Sequence, residues 1–397
     1  MPQRLRLPVA VVAAIVVAEA AVALLRPKER YPTVHTDPRA YFSAAELERA
    51  THFRSGQLWL YGARSVLELG VLIAAVRLAP KARHPVRTGA ATAVAIGLVS
   101  TAVALPVRAA SRQRAKEVGL VTQSWGGWAV DLAKSGAISS VFAAGGGALV
   151  VIGVRRFGHG WWAPGAAAVV GFAVIFSYLG PVLLDPVFNT FTPLPEGETR
   201  RDVFALAEKA GVHVKQVYEI DASTRTTAAN AYVTGLGHTK RVVLYDTLLK
   251  DFTPAETRLV VAHELGHVRH QDVPHGLLWL ALVAPFGTLV VARGAEQLTR
   301  DGRTPVPAVL LALALTAPVL TTISNQLSRA VERRADAFAL ALTGEPDAMV
   351  GFEQRITLQN VGDPDPPRWQ NVLLGTHPST MERIGQALAF RSSPGGP

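Results

Sequence analysis

The stretch of this chain whose residue types and spacing best fit a chemistry is His263-Glu264-Leu265-Gly266-His267. Two imidazoles four residues apart on a helix project from one face, so both reach a single metal ion. Neutral imidazole nitrogen suits zinc, and a catalytic zinc site uses three protein ligands so that the fourth position is left for water. Such a site lowers the pKa of that water toward ~7 and polarises a carbonyl, while a nearby carboxylate takes the proton. Glu264, next to the first imidazole, is the general base in this reading. The chemistry is peptide-bond hydrolysis with Zn2+, one ion per chain. The alternative is that two of 11 histidines and one glutamate share an ordinary amphipathic helix.

A third ligand is available downstream. Ser328 to Ala339 reads as a helix carrying Glu332 and Asp336 one turn apart on one face. Glu332 completes a two-His, one-Glu set. Asp336 can accept the free N–H of a ligating imidazole, here assigned to His263, and so set its tautomer. Read without the upstream motif, the same stretch is a solvated face pairing with Arg329, Arg333 and Arg334.

These side chains need elements to hold them. Thr253-Pro254-Ala255-Glu256 supplies a capping hydroxyl, a proline at the first helical position and a glutamate three residues after the cap. It predicts a helix from 254 to about 270. His270, seven residues after His263, falls about two turns away, and His275 lies further still; both are bystanders. Residues 200–211 read as an amphipathic helix ended by glycine. Residues 214–221, 230–234 and 241–245 read as strands, and 235–240 as the hairpin joining the last two.

Composition points to a membrane. Hydrophobic residues make up 49% of the 397, charged residues 18%, and mean hydropathy is +0.24. The absence of cysteine removes disulfides, thiolate metal sites and a cysteine nucleophile. The formal charge of +10 is spread through short segments between apolar runs, which fits positive flanks of membrane spans and excludes nucleic acid as a partner. Apolar stretches recur at 7–25, 58–79, 88–107, 136–154, 164–184, 274–293 and 305–323, each near the ~20 residues that a bilayer requires. The first is read as an uncleaved anchor, with a signal peptide as the alternative. Glu19, Arg64 and Glu68 lie in or beside spans and are expected to face the bundle interior or a cavity, with snorkelling at a span end as the alternative for Arg64. Gly145-Gly146-Gly147 is read as a site of close helix contact, and the tail from Arg391 as disordered.

With these motifs in hand, the chain resembles the integral-membrane zinc endopeptidases of the type I CAAX prenyl protease family, whose pattern is HExxH followed by a Glu-x-x-x-Asp helix. The segment from Asp185 to Leu194 is similar to the family's junction between membrane helices and catalytic domain, and Arg114 to Lys134 to its polar segment between early spans. Asn230-Ala231-Tyr232 resembles its substrate-binding edge strand. His377-Pro378 with Glu382-Arg383 resembles its C-terminal His-Pro motif, although Ser379 stands where many members have a second proline. The resemblance implies peptide binding at Asn230, Ala231 and Tyr232, since an exposed edge takes an extended peptide through backbone hydrogen bonds. It implies that His377 donates to the developing oxyanion, with a plain turn before the last helix as the alternative. Arg383 supports the same oxyanion or pairs with a carboxylate.

The expected fold class is mainly α, a multi-pass transmembrane bundle of about seven spans with a small α+β gluzincin-like zinc peptidase element. Four regions are expected: five spans in 1–184, a first catalytic block in 185–273, two further spans in 274–323 and a second block in 324–397. Two crossings separate the blocks, so both emerge on one side, as they must for Glu332 to meet the histidines. Positive charge flanks both sides; the resemblance implies a cytoplasmic catalytic face of the cell membrane. The partners are a membrane-associated, unfolded or CAAX-like polypeptide substrate and the lipid bilayer, and the sequence leaves the oligomeric state undetermined. The competing function is a non-enzymatic membrane scaffold or transporter with a structural metal site, for which Glu264 would have no use.

Overall fold

The computed structural model describes residues 3–29, 31–81, 83–235 and 237–392. Its first five long helices are α1 (Gln3–Leu25), α2 (Ala44–Arg77), α3 (Pro85–Glu117), α4 (Trp125–Phe157) and α5 (Trp162–Leu183). With 34, 33 and 33 residues, α2, α3 and α4 exceed what a bilayer requires. The apolar windows caught only their cores; polar turns extend each helix beyond them, and α2 and α4 start at serine caps, Ser43 and Ser124. Helix α1 packs an alanine face, Ala10, Ala14, Ala18 and Ala21, into the bundle.

Close approach of α3 and α4 depends on glycine. A Cβ at Gly147 would lie 2.6 Å from the Gly89 carbonyl oxygen, whereas Gly145 and Gly146 have nothing within 4 Å. Of the expected close-contact triplet, only the last residue makes the contact.

The element outside the long apolar helices comes next in the chain. Helix α6 (Asp185–Phe188) leads into β1 (Phe191–Pro193), α7 (Glu198–Lys209), β2 (Gln216–Ile220), β3 (Ala231–Thr234) and β4 (Arg241–Tyr245). The sheet order is β1-β2-β4-β3, with β2 and β4 parallel and the other pairs antiparallel. Strand β4 is central, and its run Val242, Val243 and Leu244 is buried on both faces. The expected hairpin pairs Thr234 with Arg241 and Ala231 with Leu244. Gly235 turns it at φ 101, where a Cβ would meet the Thr239 carbonyl oxygen at 2.5 Å. Strand β3 is left at the sheet edge.

Helix α8 (Asp246–Asp251) precedes α9 (Pro254–Arg269), which carries the histidines. Two further long helices, α10 (Asp272–Leu298) and α11 (Val306–Thr343), return the chain to the same face. The structure thus has seven helices long and apolar enough to cross a membrane among the described residues. Helix α11 runs for 38 residues with Pro318 inside it, so one continuous helix links the last apolar stretch to Glu332 and Asp336. Helices α12 (Pro346–Gln359), α13 (Arg368–Leu374) and α14 (Thr380–Ser392) close the element. Arg391 and Ser392 end α14; the rest of the tail expected to be disordered, 393–397, lies outside the described residues.

The main core joins Leu259, Val261 and Leu265 of α9 to Val203 of α7, Val242 of β4 and Leu340 of α11. Burying these side chains contributes roughly 1.5–3 kcal/mol each, and it holds the histidine helix against the helix that brings Glu332. Of the ionisable groups expected inside, Arg64 pairs with Glu68 at 2.7 Å and lines a cavity. Glu19 is exposed on α1, where the Gln326 amide on α11 donates to it at 3.0 Å.

Candidate active site

Helix α9 begins as its cap residues dictate. The Thr253 hydroxyl accepts from the Glu256 amide at 3.2 Å and the Glu256 carboxylate accepts from the Thr253 amide at 2.8 Å, a complete capping box. The helix ends at Arg269, with His270 as its cap and Gln271 in the left-handed region at φ 57. That single reversal starts α10 directly and swings Asp272 back over the end of α9.

His263, His267 and Glu332 come together, each offering one ligand atom within 4.8 Å of the others. His263 Nε2 lies 3.3 Å from Glu332 Oε2, and His267 Nε2 lies 3.7 Å from Glu332 Oε1. Each imidazole is gripped from behind by a carboxylate. His263 Nδ1 is 2.9 Å from Asp336 Oδ1, and His267 Nδ1 is 2.8 Å from Asp272 Oδ2. An ionised carboxylate only accepts, so each Nδ1 carries the hydrogen and each Nε2 presents a bare lone pair. Those two Nε2 atoms stand 3.0 Å apart. Two lone pairs facing each other beside the 9%-exposed Glu332, whose Oε2 has no hydrogen-bond partner, repel unless a cation shares them. This donor set fits zinc.

Asp336 is wholly buried and receives three donors. Besides His263, Arg383 Nε and Nη2 donate to it at 2.8 and 2.6 Å. Arg383 Nη1 also lies 2.5 Å from Glu353, a second buried carboxylate. Burial works against the guanidinium's charge, but Asp336 and then Glu353 outweigh it, so the Arg383 pKa is raised. Glu353 is pushed up to about 7, chiefly by burial, with Arg383 opposing the rise. Of its two expected roles, Arg383 therefore has the carboxylate pair in this structure. On the other side of the site, Arg334 pairs with Asp272.

A cleft of about 300 Å³ opens over this cluster, with Glu264, His377 and Asn230 in its wall. Burial raises the Glu264 pKa, and the neighbouring imidazoles oppose the rise. His377 sits at the rim, its side chain 62% exposed and its Nε2 3.5 Å from Glu332 Oε2, with the Thr376 hydroxyl 2.8 Å from its Nδ1. Asn230 lines the cleft, but Ala231 and Tyr232 do not. Ala231 is buried in the core and the Tyr232 hydroxyl donates to Asp185 at 2.9 Å. The edge of β3 is nevertheless in place. His270 and His275 bond to backbone carbonyls one turn earlier, those of Gly266 and Gln271.

Sequence reasoning missed two residues here. Asp272 had a faint signal, an acidic residue opening the helix after the motif. Glu353 had one too, since it repeats with Met349 and Thr357 along the buried stripe of α12.

Residues 193–390 match the model of peptidase family M48, and residues 58–190 match that of the CAAX prenyl protease N-terminal region of five membrane helices. The uncharacterized metalloprotease YhfN of Bacillus subtilis is 32% identical over 315 residues, spanning 75% of this chain and 73% of that protein. The CAAX prenyl protease 1 homolog of Arabidopsis thaliana is 31% identical over 225 residues, 53% of this chain and 52% of that protein. The probable CAAX prenyl protease 1 of Schizosaccharomyces pombe is 34% identical over 212 residues, 49% and 44% respectively. In fold, the crystal structure of Ste24p from S. mikatae matches with a TM-score of 0.72 at 20% identity, covering 98% of this chain and 99% of that one.

Proposed function

The chain belongs to peptidase family M48, a membrane zinc metalloendopeptidase of the CAAX prenyl protease type, and from that premise we propose that it cleaves membrane-associated or unfolded polypeptides, CAAX-like tails among them, at the cleft over His263, His267 and Glu332. The observation that carries this reading is the pair of Nε2 lone pairs meeting the Glu332 carboxylate, each imidazole held by its own aspartate. These three residues would hold one zinc ion per chain. When bound, zinc supplies Lewis acidity, lowering the pKa of water toward ~7 and polarising the scissile carbonyl.

The remaining steps belong to the chain's own residues. Glu264 takes a proton from the attacking water and delivers it to the leaving nitrogen; the raised pKa that burial gives it suits both halves of that transfer. Asp336 and Asp272 keep both histidines in the tautomer that frees Nε2. Arg383 fixes Asp336 and is a positioning residue. His377 Nδ1 shares a hydrogen bond with the Thr376 hydroxyl; with the hydroxyl as donor, His377 carries its hydrogen on Nε2 and donates it to the oxyanion as the carbonyl becomes tetrahedral. The extended substrate lies along the edge of β3, bound through backbone hydrogen bonds, with Asn230 on the cleft side. The catalytic face is cytoplasmic.

Hydrolysis of a quenched fluorescent peptide by detergent-purified protein tests the reading. Wild type cleaves it, loses activity on chelation and regains it with zinc, while Glu264→Gln keeps zinc and loses at least about 10²-fold in rate. A variant that retains wild-type rate removes Glu264 from the chemistry.

A further inference from the structure

Asn360, which caps the end of α12, stands in the walls of three cavities: the cleft of about 300 Å³ over the histidines, one of about 470 Å³ that His377 also lines, and one of about 790 Å³ between α2, α3 and α4. Its side chain makes no hydrogen bond among the described residues, and its Oδ1 is buried without a partner. Leaving a buried amide oxygen unpaired is costly, so it marks a place where a donor is missing. Among the residues lining the cleft, only Glu332 Oε2 and Asn360 Oδ1 are in this state. The first faces the two histidines, where a cation meets it. The second has no such explanation.

The surrounding chain holds Asn360 in this position. Its backbone amide donates to the Ile356 carbonyl at 2.9 Å, and the next residue, Val361, lies in the left-handed region at φ 47, a conformation that a β-branched residue adopts only at a cost. That turn is kept by the Gly362 amide, which donates to the Thr357 carbonyl at 2.8 Å, and by Arg54 Nε, which donates to the Val361 carbonyl at 3.2 Å. On the other side Gln359 donates to the Thr227 carbonyl and so ties the end of α12 to the segment that leads into β3. Asn230, at the end of that segment, lines the same cleft.

A polypeptide extended along β3 turns alternate residues toward the sheet and away from it. The sheet edge satisfies only the near set of N–H and C=O groups. Those on the far side lose water in the cleft and need a partner there. Leu248, Leu259, Val260, Met349 and Phe352 in the cleft wall offer none from their side chains, and the charged groups are gathered around the histidines. We propose that Asn360 is a substrate-binding residue whose Oδ1 accepts one backbone N–H from the far edge of the bound strand. The contact reads main chain and is indifferent to side-chain sequence. It rests on peptide binding at the β3 edge.

The test uses a series of quenched fluorescent peptides, each with one non-scissile amide replaced by an ester, which removes a single N–H. Relative to the all-amide peptide, wild type shows a kcat/KM about tenfold lower for the ester at the position facing Asn360, the size of one hydrogen bond left unmade in a desolvated site. Esters at positions facing β3 are penalised too. In Asn360→Leu and Asn360→Ala the first penalty disappears and the others remain, while Asn360→Asp, which keeps an acceptor, retains them all. Each value is a ratio of two substrates within one preparation, so it is independent of how much protein folds. An ester profile shared by wild type and both apolar variants, or a wild type that no ester affects, overturns the contact and leaves the peptidase reading intact. A wild type that cleaves no peptide, the all-amide one included, overturns the peptidase reading and the contact with it.

Discussion

Arg383 is clamped between two buried carboxylates, Asp336 on its Nε and Nη2 edge and Glu353 at Nη1, 2.5 Å away. Through Asp336 this clamp reaches the Nδ1 of His263, so a carboxylate on α12 is linked to the imidazole proposed to ligate zinc on α9. Removing one partner of a buried charge cluster is far more costly than its presence is favourable, because the remaining charge has no water to return to.

The Glu353 pKa of about 7, against an ordinary 4.5, gives a pH dependence with a definite sign. The folded state binds this proton more tightly than the unfolded chain does. The stability it contributes is therefore present below about 4.5 and lost as pH rises toward about 7. Glu353→Gln removes that titration, so the melting temperature of wild type falls relative to the variant between pH 5 and pH 8. Thermal unfolding in detergent at the two pH values measures it; a constant difference refutes the assignment.

Asp272 positions His267 as Asp336 positions His263. Asp272→Asn weakens zinc binding by about 10- to 100-fold, the usual effect of losing a carboxylate that orients a ligating imidazole. Competition with a chromogenic chelator reads the affinity directly. An unchanged Kd would mean that the hydrogen bond at 2.8 Å leaves the ligand unaffected.

Gly147 and Gly146 are neighbours with opposite surroundings. At Gly147 a new side chain meets the Gly89 carbonyl oxygen at 2.6 Å and Ala93 Cβ at 2.8 Å, while at Gly146 nothing lies within 4 Å. Gly147→Val therefore destabilises the bundle by about 1–3 kcal/mol through overpacking, and Gly146→Val leaves the melting temperature close to wild type. Equal shifts in the two variants would show that α3 and α4 do not depend on this contact.

The sequence by itself determined the features that depend only on short-range geometry and on hydropathy. A four-residue spacing on a capped helix places His263 and His267 on one face whatever surrounds them, and a run of apolar residues long enough to span a bilayer is legible without a fold. Glu332 and Asp336 were legible for the same reason, one helical turn apart. The sequence pairs Asp336 with His263; tertiary structure alone decided which carboxylate holds His267 and which second one holds Arg383. Asp272 reaches His267 only because Gln271 adopts a left-handed conformation, and Glu353 reaches Arg383 only because α12 packs against α14. Asn230, just before β3, meets the cleft, while within the strand the alternation of faces sends Ala231 into the core and turns Tyr232 the other way, to Asp185.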